Sequence, residues 1–179
     1  MKAMRSGLIR RAKSGDATAM EEIVKLYYDD IYHFLCRKLP NYMDAQDIAQ
    51  DVFLKLAAGI NTYQEKGKLK NYLFQMALNA SRDFYRRTNH NACTLNESAD
   101  ICSDSMPLEQ MMEMVERAEI VKVALNKLPE YQKDVIVLRF YHDLAFKDIA
   151  LITDTNISST KSRYRQGVDK LKILLKEVF

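Results

Sequence analysis

Turn-forming residues are scarce. Five glycines and three prolines in 179 residues are too few to punctuate the many short strands of an all-β fold. Cysteine is scarce too. Cys36, Cys93 and Cys102 are odd in number and show no CxxC spacing, which argues against a disulfide framework or a zinc site. Three histidines, His33, His90 and His142, are scattered, and no local motif joins a nucleophile, a base and an orienting group. No metal, cofactor or small-molecule substrate is expected, and no enzymatic activity. Long apolar runs are missing. The run Val135 to Leu138 spans about four residues, far below the ~18 of a membrane span. The opening MKAMRSGLIRRAKSGD is basic with no apolar stretch behind it, unlike a secretory signal. A cytoplasmic protein without membrane insertion is expected.

What is present is 47% hydrophobic and 28% charged, an ordinary globular balance. Leu, Ala, Lys, Glu, Gln and Met abound, so the fold is expected to be all-α. Composition divides the chain into three zones. Residues 1 to about 87 are periodic and end in the basic FYRR. Residues 88–116 carry six carboxylates and no Lys or Arg. Their first half, rich in Asn, Ser, Thr and Asp, reads as a linker over 91–115, although a helix can begin from Pro107. Residues 116–179 are periodic and basic again. Two small helical domains joined by an acidic linker are expected.

In the first zone the periodicity predicts helices at about 5–14, 17–38, 44–58 and 68–88. MDAQDIAQDVFLKL (43–56) raises a question. Ala45, Ile48, Ala49, Val52, Phe53 and Leu56 form one apolar face. Asp44, Asp47 and Asp51 share another. Asp44 suits a helix start, where the dipole favours an anion, but Asp51 does not. The chain as a whole is +3, so the acidic stripe needs its own explanation. The next helix, 68–87, places apolar Leu69, Tyr72, Leu73, Met76, Ala77, Ala80 and Phe84 on one side. Asn71, Gln75, Asn79, Arg82, Asp83, Arg86 and Arg87 lie on the other. The polar loop NTYQEKGK before it contains Tyr63 and Lys66. Cations and amides beside an aromatic suit single-stranded nucleic acid: charge follows the phosphates and a ring stacks on an unpaired base. The plainer account is a solvated helix face with a buried Tyr63.

The C-terminal zone predicts a helix in LPEYQKDVIVLRFYH, with Pro129 in its first turn. FKDIALI, the turn TDTN and the long helix ISSTKSRYRQGVDKLKILLKEVF follow. Two helices across a short turn make a helix-turn-helix. Ile157, Thr160, Tyr164, Val168, Leu171, Leu175 and Val178 form the expected inward stripe. Ser158, Ser159, Lys161, Ser162, Arg163 and Arg165 gather on the outward side of the first half. A recognition helix has this layout. Small residues allow close approach, and Arg and Lys reach guanine and phosphate.

The ordered set DAQDIAQDVFLKL, YLFQMALNASRDFYRR, linker, LPEYQKDVIVLRF, DIA and TKSRYRQGVDKL resembles the extracytoplasmic-function class of bacterial RNA polymerase sigma factors along nearly the whole chain. The resemblance implies that residues 1–90 form sigma region 2 and residues 116–179 form region 4. It implies a factor that binds core RNA polymerase, including its β′ and β subunits, and directs it to promoter DNA, which it helps to melt. The helix matching 44–56 would dock on the β′ coiled coil. Asp47, Gln50 and Asp51 would make contact there, with Ile48, Val52 and Phe53 anchoring the helix. An acidic stripe facing a basic protein partner would also keep phosphates away. The minus-ten element would be read by Asn79, Arg82, Asp83, Arg86 and Arg87, with Tyr63 and Lys66 in the loop that cradles a flipped base. The minus-thirty-five element would be read by Ser158, Ser159, Lys161, Arg163 and Arg165. The acidic linker would thread the polymerase cleft toward the RNA exit channel. An anti-sigma protein is a partner common in the family. The chain departs from the family pattern at several positions. Tyr72 stands where Trp is usual, Asp154 where Gly is common in the turn, and Gln166 and Val168 where Arg is frequent.

Two other function classes share some of these features. A stand-alone helix-turn-helix regulator shares the C-terminal module but leaves the acidic stripe and the basic helix 68–87 without a purpose. An enzyme acting on nucleic acid would need a metal-binding carboxylate cluster. Asp44, Asp47 and Asp51 lie on one helix face, which rarely completes a site alone.

Overall fold

The protein is described here by a computed structural model that places residues 2–64, 68–88 and 108–176, with side chains over 7–64, 68–88 and 117–176. The chain divides into two compact units, Met1–Thr94 and Leu95–Phe179. Every regular element among the described residues is a helix, and no described helix is long and apolar enough to cross a membrane.

The first unit holds α1 (Lys2–Lys13), α2 (Ala17–Lys38), α3 (Tyr42–Gly59) and α4 (Leu69–Thr88). Local chemistry fixes the helix ends. After α1 the Asp16 amide donates to the Arg11 carbonyl at 3.1 Å across Gly15, whose φ of 87° favours glycine. Asp16 then caps α2: its carboxylate accepts from the Thr18 amide at 3.0 Å and the Ala19 amide at 3.3 Å. The Thr18 hydroxyl and Arg11 also donate to it, and together they hold the Asp16 pKa down at about 2. Asn41 caps α3 by accepting from the Asp44 amide at 2.8 Å. Its own amide donates to the Asp44 carboxylate at 2.7 Å. Asp44 therefore serves the helix start.

The core of this unit is built on α2. Ala19, Ile23, Tyr27, Ile31, Phe34 and Leu35 are buried there against Ala45, Ala49, Val52, Phe53 and Leu56 of α3. The buried stripe of α4 differs from the one that the pattern predicts. Leu69, Leu73 and Ala77 are buried as expected, but so are Phe74, Leu78 and Ser81, while Tyr72 is 38% exposed. The reason is that α4 packs on both α2 and α3, so a wider and rotated face is covered. Phe74 meets Phe34 edge to face at 5.4 Å between ring centroids.

The second unit holds α5 (Leu108–Asn126), α6 (Glu130–Ile136), α7 (Phe146–Ile152) and α8 (Ile157–Lys176). Its start at Leu108 puts α5 partly inside the stretch 91–115. The single helix expected through residue 142 instead gives way at Val137–Tyr141 to a π-helical turn. The β-branched run Val135, Ile136 and Val137 crowds an α-helical turn just there. Pro129 stands at the N-cap of α6, one place before the first turn. Leu125, Leu128 and Ile136 form a core cluster, with Val121, Tyr141, Tyr164, Leu171 and Leu174 against it.

The inward stripe expected for α8 needs correction at its ends. Ile157 is exposed, and Val178 lies outside the described residues. The fully covered positions are Thr160 and Gly167. A Cβ on Gly167 would lie 2.6 Å from Ile136 Cδ1 and 3.3 Å from Gln132 Cβ. A side chain here would force Ile136 and Gln132 to shift, and glycine lets α6 and α8 approach without it.

Candidate nucleic-acid interfaces and docking helix

On α3 the face opposite the core presents Gln46, Asp47, Gln50 and Asp51, all exposed. Among the described residues no ion pair engages Asp47 or Asp51. Ile48 is half-buried, and Val52 and Phe53 are buried in the core. In this conformation Val52 and Phe53 hold α3 onto α2 and α4 and present nothing to an outside partner. Sequence reasoning missed Met43, 63% exposed, and Leu54, 67% exposed. With Asp47 and Gln50 between them, they follow the spacing of one helix face. Two large exposed apolar side chains bracketing an acidic stripe were visible in the heptad spacing, once the burial of α3 was assigned.

On α4, Asn79, Arg82, Asp83, Arg86 and Arg87 recur at the spacing of one face, and all but half-buried Asp83 are exposed. The structure brings these five together. Arg86 Nη2 lies 2.9 Å from Asp83 Oδ1, so the carboxylate steadies a guanidinium that is otherwise open to solvent. Tyr63 is placed differently from the expectation of a stacking ring. It is only 8% exposed, with its ring 5.0 Å from that of Tyr72. Its backbone explains this. The Tyr63 amide donates to the Gly59 carbonyl at 3.2 Å, a turn off the end of α3 that carries the ring inward. The exposed ring is Tyr72, which lies on the α4 face that also carries Asn79, Asp83 and Arg86. Its alignment with the family's usual Trp was the signal that could have singled it out. Lys66 lies outside the described residues.

On α8 the turn is built before the helix. Asp154 adopts φ 52°, the left-handed conformation open to Asp but easier for the Gly common at this position, and the Thr155 amide donates to the Ala150 carbonyl at 2.9 Å. The hydroxyls of Thr153, Thr155 and Thr160 form a chain with spacings of 3.0 and 2.9 Å. Asn156 then accepts from the Ser159 amide at 2.7 Å and caps α8. From this start Ser158, Lys161, Ser162 and Arg165 are exposed on one face. Ser159 and Arg163 are half-buried on its flank, the Arg163 guanidinium carbon 5.4 Å from the ring centroid of Tyr131 on α6. That stacking limits the rotamers of Arg163 while leaving its N–H edges free to donate. Gln166 Oε1 accepts from Gln132 Nε2 at 3.4 Å, so this side chain bridges α8 to α6.

The arrangement can bind polyanions at two faces and a cationic surface at a third. Among the described residues no group of three or more His, Cys, Asp or Glu side chains is placed to hold a metal ion.

Comparison with known proteins agrees with this architecture. The family described as Sigma-70 region 2 matches residues 23–91, and that described as Sigma-70, region 4 matches residues 118–171. The chain is similar to the ECF RNA polymerase sigma factor SigW of Bacillus subtilis, at 27% identity over 99% of this chain and 100% of the relative. It is also similar to SigM of the same organism, at 26% identity over 85% and 94%. In fold it resembles CnrH, solved in complex with the cytosolic domain of CnrY, with a TM-score of 0.75 at 19% identity over 95% of this chain and 96% of the other. It also resembles RpoE of Bartonella quintana, solved with the anti-sigma factor NepR, with a TM-score of 0.70 at 22% identity over 87% and 96%. With both conserved regions matched in order on two all-helical units, the chain belongs to the sigma-70 family of RNA polymerase sigma factors, in its extracytoplasmic-function class.

Proposed function

We propose a division of labour among three helices of a transcription initiation factor. As a sigma factor, the chain binds RNA polymerase and directs it to promoters. In our reading, α3 docks on core polymerase through Asp47, Gln50 and Asp51, with Met43 and Leu54 as flanking apolar contacts. Its partner is a basic surface of the β′ subunit. The face of α4 (Asn79, Arg82, Asp83, Arg86 and Arg87) meets the melting minus-ten element, with Tyr72 offering the exposed ring. The face of α8 (Ser158, Ser159, Lys161, Arg163 and Arg165) enters the major groove at the minus-thirty-five element. The chain acts in the bacterial cytoplasm by binding energy alone, with no reaction catalysed by its own residues. An anti-sigma protein that covers these faces is the regulatory partner that suits them.

The observation that carries this reading is the segregation of charge. Asp47 and Asp51 stand in solvent on α3, while Arg82, Arg86 and Arg87 stand exposed on one face of α4 and Lys161 and Arg165 on one face of α8. One molecule thus offers surfaces that repel and attract phosphate. Tethering two weak DNA contacts on one chain raises their effective concentration, so each can bind poorly alone. The test is a titration of core RNA polymerase with the wild type and the Asp47→Lys, Asp51→Lys double variant. Because like charges facing each other are strongly unfavourable, affinity should fall by about tenfold or more with folding intact. Equal affinity of the folded double variant would remove α3 from the polymerase interface.

A further inference from the structure

We propose that Lys13, the last residue of α1, is a positioning residue for promoter selectivity: it fixes the entry of the loop that leads into α4 by donating to the Tyr63 carbonyl. The inference rests on the reading of that loop and α4 as the minus-ten interface. It concerns a residue outside the span 23–91 matched to the family.

Three independent contacts converge on Tyr63. Its amide is held by the Gly59 carbonyl at the end of α3, its ring lies against Tyr72 of α4, and its carbonyl accepts from Lys13 Nζ. The third contact joins residues 50 apart in sequence and ties α1 to the loop. Lys13 is well placed to hold it because α1 is itself fixed. Leu8, Ile9 and Ala12 are buried. At the corner, Arg11 donates to Asp16 at 2.8 Å, to Thr18 at 3.1 Å and to Glu22 at 3.4 Å, pinning the end of α1 to the start of α2. Arg11 and Lys13 thus divide the last turn of α1 between α2 and the loop.

What Lys13 positions has the chemistry to read a base. Asn61, Thr62 and Gln64, which surround Tyr63, are all exposed. Amide and hydroxyl groups match the donor and acceptor edges of an unpaired base. Such groups discriminate only when their backbone is held, because a floating amide satisfies any edge.

The experiment uses holoenzyme assembled from core RNA polymerase with the wild type, Lys13→Met or Lys13→Arg. Open-complex formation is measured on duplex promoters carrying each base in turn at each minus-ten position. Lys13 is exposed, so the methionine keeps the stem without disturbing the core. We expect Lys13→Met to lower the ratio between best and worst base by roughly 3- to 10-fold, the scale of one hydrogen bond. Lys13→Arg should restore the ratio. Core affinity and thermal midpoint should stay at wild-type values. A Lys13→Met protein that slows opening equally on every promoter, or melts earlier with its ratio intact, has lost only a structural contact, and the proposal fails. If the wild type discriminates and Lys13→Met discriminates equally, the proposal falls alone. If the wild type itself shows no preference at any position, the minus-ten reading falls and takes the proposal with it.

Discussion

The two helices that carry the nucleic-acid faces, α4 and α8, are both 20 residues long and both basic on the outside, yet they are held by different means. In α4, six side chains are buried from Leu69 to Ser81, and two neighbouring helices clasp it. Its outer face is set by apolar packing, and any shift would uncover a ring or an isobutyl group. In α8 only Thr160 and Gly167 are buried. Its direction is set by a turn, with a left-handed Asp154, a hydroxyl chain and an Asn156 cap, and by half-buried side chains such as Tyr164, Leu171 and Leu174 that pack on the core of the second unit around the close approach at Gly167. One helix is positioned by fully buried side chains, the other by where it starts together with half-buried ones. The difference suits the tasks assigned to them. A surface that captures bases from a melting duplex must resist displacement. A recognition helix needs its first turns placed accurately, and its later turns serve to pack it on the unit.

The comparison breaks most visibly where α4 meets α2. Phe74→Ala removes a fully buried ring that meets Phe34 edge to face. It should cost ~3–5 kcal/mol. Hydrogen exchange should show protection lost in α2, α3 and α4, while α6 and α8 keep theirs. The counterpart in the second unit is Gly167→Leu, which drives a side chain into Ile136 and Gln132. Overpacking of this kind costs ~1–3 kcal/mol, and protection should fall in α6 and α8 with the first unit unchanged. If either substitution unprotects both units together, they do not fold as separate bodies and the contrast drawn here is wrong.

How far the sequence reaches follows from the same contrast. The helices of the first unit were legible from periodicity, and the faces of α3 and α4 came close to the mark. The one-residue rotation of the α4 core was not legible, because periodicity reports one apolar stripe and α4 is covered from two sides. Phe74 and Leu78 fall between the expected positions for this reason. For Tyr63 the sequence offers two readings, a stacking ring in a polar loop and a buried ring, and the structure shows the buried one; the turn off Gly59 that folds it inward is a backbone event with no side-chain signature to decide between them. On α8 the outward cations were legible, whereas Gly167 was not, since a single glycine in a helix gives no hint that a neighbour lies within reach. Asp154 was the exception. It stands in the turn where the family commonly has Gly, and its backbone takes the left-handed conformation that glycine adopts freely.

That residue gives the next sharpest test. Aspartate tolerates φ 52°, whereas a β-branched residue does not. Asp154→Val should cost ~1–2 kcal/mol, read as a lower thermal midpoint together with weaker minus-thirty-five binding. Asp154→Gly should leave the midpoint unchanged or raise it. A neutral valine variant would mean that the turn is not what positions α8.

The smallest effect on stability is expected at Asp83, and it sharpens the account of α4. Its pair with Arg86 is exposed, and such pairs contribute ~0–1 kcal/mol, so Asp83→Asn should scarcely move the thermal midpoint. The effect on DNA should be larger than the effect on folding. Removing the carboxylate takes a negative charge away from the phosphate path and releases Arg86 from its partner. Promoter binding by holoenzyme should strengthen. If Arg86 gains a phosphate, the log–log salt slope should steepen by ~0.9. The opposite result would be just as specific. Weaker binding at unchanged stability and slope means that the carboxylate itself touches a base, as an acceptor for a cytosine amino group. Asp83 would then be a reading residue in its own right, and the guanidinium beside it the group that holds it in place.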